Sequence, residues 1–149
     1  MREQLIGGGL LLAIAACSGA GAPPVPSVGP AADVEEQERT VSAVVEAALR
    51  ATTQPAFDTL FATGAEILRD GRLVARPPFF AGVGDDGDVA ITSSRVEVSP
   101  GFAWSTVEYR WISRDKGTAA EGVATFVVRR MNERAWRIIH AHSSSPRSP

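Results

Sequence analysis

From Val89 onward the chain is a succession of strand-patterned runs joined by connections too short for anything but a reversal. They run from Val89 to Ser99, Phe102 to Arg114, Ala119 to Met131 and, shorter, from Ala135 to His142. Pro100-Gly101, Asp115-Lys116-Gly117 and Asn132-Glu133-Arg134 separate them. A parallel pairing needs a crossover of a dozen residues or more, so each of these strands must turn back on its predecessor. The second half of the chain is therefore expected to be an antiparallel meander.

A sheet this long must bury one face, and the residues before it supply the cover. Asp33 is placed to cap a helix in which Val34, Val41, Val44, Val45, Ala48 and Leu49 recur at helical spacing. Glu35, Glu36, Glu38 and Arg39 turn to solvent, and the early glutamates suit the positive end of the helix dipole. Thr52 to Gln54 break the pattern, and Pro55 opens a short second helix containing Phe57, Leu60 and Phe61. After Gly64, strands Ala65–Arg69 and Arg72–Ala75 flank Asp70-Gly71, a strong hairpin signal. Pro77-Pro78 and the cluster from Gly82 to Asp88 mark a loop, with one turn of helix around Phe79 and Phe80. Helices first, then a curved antiparallel sheet, make an α+β domain with a conical space at the sheet's open end, where a ligand would sit.

The first sixteen residues read as an export signal: Arg2, an apolar run from Leu5 to Ala16, then Cys17. That run is too short to span a bilayer as a mature helix. Ile14-Ala15-Ala16-Cys17 resembles a bacterial lipobox, which implies cleavage before Cys17 and acylation of its thiol. It is the chain's single cysteine, so no internal disulfide is possible. Ser18 resembles the class sorted to the outer membrane, which implies a cell-envelope protein anchored by lipid and facing the periplasm. Residues 17–32, rich in Gly, Ala and Pro, read as a tether; 33–144 form the domain, and 145–149 a tail. With 149 residues there is room for one folded domain, and a net charge of -2 leaves no basic surface for nucleic acid.

The last strand carries a resemblance. Trp136-Arg137-Ile138-Ile139-His140-Ala141-His142-Ser143-Ser144 is similar to the final strand of the SnoaL-like branch of the NTF2-like superfamily, and in particular to the association domain of calcium/calmodulin-dependent kinase II. The order of elements over Asp33–Ser144 agrees. The resemblance implies an NTF2-like, cystatin-like cone and pairing into homodimers through the outer face of the sheet. It implies no single activity, because isomerases, cyclases, dehydratases, ligand-binding domains and assembly modules share this cone. Arg110, in Val107-Glu108-Tyr109-Arg110, matches a pocket arginine of the association domains, whereas Ser143 stands where they carry another.

The candidate site residues follow from strand spacing. His140 and His142, two apart, share a face, and alternation places Trp136, Ile138 and Ser144 with them. As a pair they can shape a polar pocket, with His140 as a catalytic base, because imidazole titrates near neutral pH. Zinc or iron would need a third ligand from Glu97, Glu108 or Glu121, and spacing selects none, so no metal or other cofactor is expected. Trp104, Glu108 and Arg110 share a face with Thr106 and Ile112. The resemblance turns that face into the cone, where Arg110 could fork onto a carboxylate, while the plainer alternative is an exposed ion pair outside. Tyr109 and Trp111, on the other side, are expected against a helix or a partner subunit. Asp85, Asp86 and Asp88 lack the twelve-residue frame of a calcium loop and read as a solvated turn. Three readings stay open: a pocket for a small molecule or partner, general acid/base catalysis, and a scaffold whose cone is filled.

Overall fold

The computed structural model describes residues 31–75, 78–132 and 135–145. The expected export signal, Cys17 and most of the tether lie outside them, as do residues 146–149. Two helices, α1 (Ala31–Arg50) and α2 (Gln54–Leu60), precede six strands. These are β1 (Phe61–Arg69), β2 (Arg72–Leu73), β3 (Gly87–Ser99), β4 (Phe102–Ser113), β5 (Ala119–Arg130) and β6 (Trp136–Ser144). They form one sheet in the order β2-β1-β6-β5-β4-β3, antiparallel except where β1 meets β6.

The helix forms where the spacing predicts, and Val41, Val45, Ala48 and Leu49 bury its inner stripe against the sheet. It begins at Ala31, so Asp33 lies in the first turn rather than capping it, where its charge still suits the dipole. Phe61, expected in the second helix, is instead the buried first residue of β1 and pairs with Ile138. The pairing slips between Phe61 and Glu66, and Gly64, at φ 78°, supplies the left-handed backbone inside that irregularity. A glycine that reads in sequence as the boundary of a strand is therefore a bulge within one. Strand β2 is only two residues long and stops before Val74. The hairpin itself is as expected: Asp70 and Gly71 both have positive φ, 49° and 77°, as a type I′ turn requires.

The meander pairs as read, with Ser99 opposite Phe102 across Pro100-Gly101. Along β4 burial alternates strictly at first: Ala103, Ser105, Val107 and Tyr109 face the core, while Phe102, Trp104, Thr106, Glu108 and Arg110 face out. A second irregularity, between Ile91 and Ser93 in β3, adds curvature to the sheet edge over which α1 lies.

Candidate functional site

The interior of the cone is occupied by the chain itself. Phe79, Phe80 and Ala81, from the segment between β2 and β3, are all at least 98% buried. Phe79 stacks on Phe57 with ring centroids 4.0 Å apart, and Phe57 stacks in turn on Phe61 at 3.7 Å. Phe80 tilts against Phe126 of β5 at 5.4 Å. The backbone of this plug is held from both sides of the sheet's inner face. The Tyr109 hydroxyl donates to the Ala81 carbonyl at 2.6 Å, and the Ala81 amide donates to Ser143 Oγ at 3.0 Å. A buried loop must find partners for its peptide groups, and these two side chains provide them. Tyr109 lies over Gly122, its direct neighbour on β5, where any Cβ would overlap the phenol ring. Burial, the largest influence on it, pushes the Tyr109 phenol well above the ordinary tyrosine range, so it stays a neutral donor.

The five residues expected to line the cone do share one face of the sheet, but it is the opposite face, and β5 separates the three on β4 from the two on β6. Trp104, Glu108 and Arg110 lie on the exposed face of β4, with Trp104 44% exposed and its Nε1 donating to Glu97 Oε2 at 3.1 Å. Their inward placement is corrected for a steric reason. The inner phase of β4 is packed beneath α1 and the plug by Ala103, Val107 and Tyr109, leaving the larger apolar side chains Phe102, Trp104 and Ile112 outside. His140 and His142 share a face as read, and it is this outer face; His140 Nδ1 lies 3.9 Å from Glu66 Oε2. Trp136 and Ile138, expected beside them, point inward. A register shift leaves Ile139 as an extra residue, since Val127 pairs with His140 while Val128 pairs with Ile138. Among the described residues no group of three or more His, Cys, Asp and Glu side chains is placed to hold a metal ion.

Tyr109 and Trp111 do lie opposite Arg110, although Tyr109 packs on the plug rather than on a helix. Of the aspartates in the expected solvated turn, two tie the loop to the end of β4. Asp86 accepts from Ser113 Oγ at 2.9 Å, and Asp88 forms a two-point ion pair with Arg114. That guanidinium holds the Asp88 carboxyl below its ordinary range.

Two features had no counterpart in the sequence reading. Clefts of about 390 Å³ and 490 Å³ flank the last turns of α1, and both are walled by Arg50. The smaller is lined by Ser105 and the larger by Trp111, and Ser105 Oγ and Trp111 Nε1 are buried polar atoms with no hydrogen-bond partner among the described residues. Ser105 is the one polar residue in the inner phase Ala103, Ser105, Val107, and that signal becomes readable only once the phase of β4 is known.

No protein-family model matches this sequence, and no curated protein matches it. Solved structures share its fold. A nuclear transport factor 2 (NTF2-like) superfamily protein from Salmonella enterica superposes with a TM-score of 0.57 at 13% identity, covering 76% of this chain and 91% of that one. A ketosteroid isomerase-like protein from Erwinia carotovora atroseptica gives 0.53 at 18% identity, with 76% and 98% covered. A protein with a cystatin-like fold from Nostoc punctiforme gives 0.56 at 14% identity, with 80% and 95% covered. The fold is NTF2-like: helices packed on a six-stranded, mostly antiparallel sheet.

Proposed function

We propose that this chain is a lipid-anchored extracytoplasmic NTF2-like domain that works by binding rather than catalysis, pairing with a second copy of itself across the exposed face of its sheet. The observation that carries this reading is the character of that face. Phe102, Trp104, Ile112 and Val123 stand on it with exposures between 39% and 45%. Phe102 and Trp104 stand at one end of β4 and Ile112 at the other, with Val123 opposite Glu108 between them, so apolar side chains run the length of this face, as a contact with a second sheet would need. Glu108 and Arg110 lie among them, and an isologous pairing lets the Glu108 of each copy meet the Arg110 of the other. The acid/base alternative needs His140 beside an enclosed substrate, and His140 instead stands on the open face next to Glu66. Anchoring rests on the Ile14-Ala15-Ala16-Cys17 motif, with residues 17–32 as the tether that lifts the domain clear of the lipid.

Both halves of the reading are open to experiment. Protein extracted from membranes should have an intact mass that begins at a diacylated Cys17, and Cys17→Ser should remove the lipid and release the chain. An unmodified Cys17 overturns the anchor. Sedimentation of the extracted protein should give a dimer, and Val123→Arg, which places unpaired charge in the contact, should give a folded monomer. A wild-type monomer at every concentration, or a dimer indifferent to Val123→Arg, overturns the pairing.

A further inference from the structure

The end of the sheet level with the start of α1 carries a row of cations among exposed apolar side chains. Helix α1 runs against β3: Leu49 and Arg50 share a cleft wall with Gly87 and Arg114, and Ser42 and Val45 share one with Ser94 and Ser105. From Ser42 back to Ala31 the helix rises about 16 Å, and β3 covers about 17 Å from Ser94 to Ser99. The first turn of α1 therefore stands beside the Pro100-Gly101 reversal. At that end, on the outer face, Phe102 of β4 lies opposite Arg129 of β5, and Arg129 lies opposite Arg137 of β6. Arg130 stands over the Trp136 ring at 5.9 Å, and Met131, 50% exposed, follows it. Glu97, which pairs with Trp104 across the strands, is already taken by Arg95 and by the Trp104 indole.

Charge separates the two sides of this end. Asp33, Glu35, Glu36 and Glu38 stand on the helix side, where Arg39 pairs with Glu35 and Glu36, whereas the outer side carries Arg129, Arg130 and Arg137. A negatively charged surface brought to this end repels the first side and attracts the second. The lipid anchor proposed above brings such a surface within reach. Drawn out straight, the chain from Cys17 to Ala31 spans at most about 50 Å, and the turn at residues 115–117 lies about 40 Å further off, the length of β4. We propose that the rim formed by Phe102, Arg129, Arg130, Met131 and Arg137 docks on the anionic phospholipid surface that holds the anchor, its arginines on the phosphates and its Phe102 and Met131 in the headgroup layer. Docking is reversible, and the released domain stands off on its tether. The proposal rests on the lipid-anchored reading and leaves Trp104, Ile112 and Val123 to the pairing face.

The test uses protein extracted from membranes, its mass read at Cys17, and reconstituted in nanodiscs of phosphatidylcholine alone or mixed equally with phosphatidylglycerol. Some headgroups carry a gadolinium chelate, which broadens the amide resonances that approach the surface. In the anionic discs, broadening of residues 101–102 and 129–132 is expected while 115–117 stay sharp, and it should fade in phosphatidylcholine alone and in high salt. Arg129→Gln should lower the docked-to-free ratio about 5-fold, the worth of one arginine at such a surface. Its thermal midpoint should not move, because the side chain is exposed. With Cys17 acylated, three results each overturn the docking alone: broadening equal at both ends of the sheet, broadening indifferent to lipid charge, and a ratio unchanged in Arg129→Gln. An unmodified Cys17 overturns the anchor and the docking together. Shifts at the rim that follow protein concentration rather than lipid charge give it to a second copy of the chain and also overturn the proposal.

Discussion

Replacing Phe80 with alanine asks whether the segment filling the cone is core or lid. Phe80 is 99% buried although it belongs to neither a helix nor a strand, and its ring meets Phe126 of β5 at 5.4 Å and 54°. A phenylalanine truncated in a close-packed core costs about 3–5 kcal/mol, the sum of lost transfer free energy and the cavity left behind. A mobile lid would re-close around the smaller side chain and lose far less. Tyr109 and Ser143 hold Ala81, the next residue, at both its carbonyl and its amide, so the backbone cannot slide inward to refill the space. The full cost is therefore expected. For a domain of this size each kcal/mol moves the thermal midpoint by about 4 °C, so Phe80→Ala should lower it by about 12–20 °C. In urea, with a slope of about 2 kcal/mol/M, the midpoint should fall by about 2 M at unchanged slope. A loss below about 1 kcal/mol, in the range of surface substitutions, would refute the claim that the plug is part of the core.

Two further outcomes follow from the same packing. Gly122→Ala should be as damaging as Phe80→Ala despite adding a single carbon, because the new Cβ overlaps the Tyr109 ring; thermal melts check this, and a neutral result would mean that Tyr109 lies elsewhere. At Asp88 the paired Arg114 lowers the carboxyl pKa beneath its ordinary value of 3.8, so the pair favours the fold above that pH and the benefit fades as pH falls below it. Asp88→Asn should thus be slightly less stable than wild type at neutral pH and equal to it in acid. Both side chains are largely exposed, so 1 M salt, with a screening length of about 3 Å, should also close the gap. A difference that persists in acid would contradict the pairing.

The parts of the fold that could be read in advance are those fixed by local chemistry. Val41, Val45, Ala48 and Leu49 lie on one helical stripe, Asp70-Gly71 makes its turn, and Pro100-Gly101 reverses the chain with Gly101 at φ 81°. What could not be read is phase. Strict alternation from Trp136 carries His140 to the inner face, and one extra residue at Ile139 reverses the assignment. On β4 the sequence offers two alternating sets. Phe102, Trp104 and Ile112 are the more apolar by size, yet the smaller set from Ala103 to Tyr109 is the one buried, because α1 and the plug leave limited depth above it. The plug itself gave no periodic signal. The segment holding Phe79 and Phe80 is fixed by hydrogen bonds at the amide and the carbonyl of Ala81, to side chains 62 and 28 positions further along the chain.

Tyr109 is buried where Phe79, Phe80 and Ala81 fill the cone, and its hydroxyl donates to the Ala81 carbonyl. Tyr109 is the single tyrosine of the chain, so the phenolate absorbance band reports on it alone. A folded-state pKa raised by burial means that the buried phenol supports the fold below its ordinary value of 10.0 and that this support is lost as pH rises past it. The measurement is a spectrophotometric alkaline titration followed together with circular dichroism. A closed cone predicts no phenolate through pH 10.0, then a steep rise that coincides with unfolding. A smooth, reversible titration centred near 10.0 in a chain that stays folded would place Tyr109 in water and contradict the account.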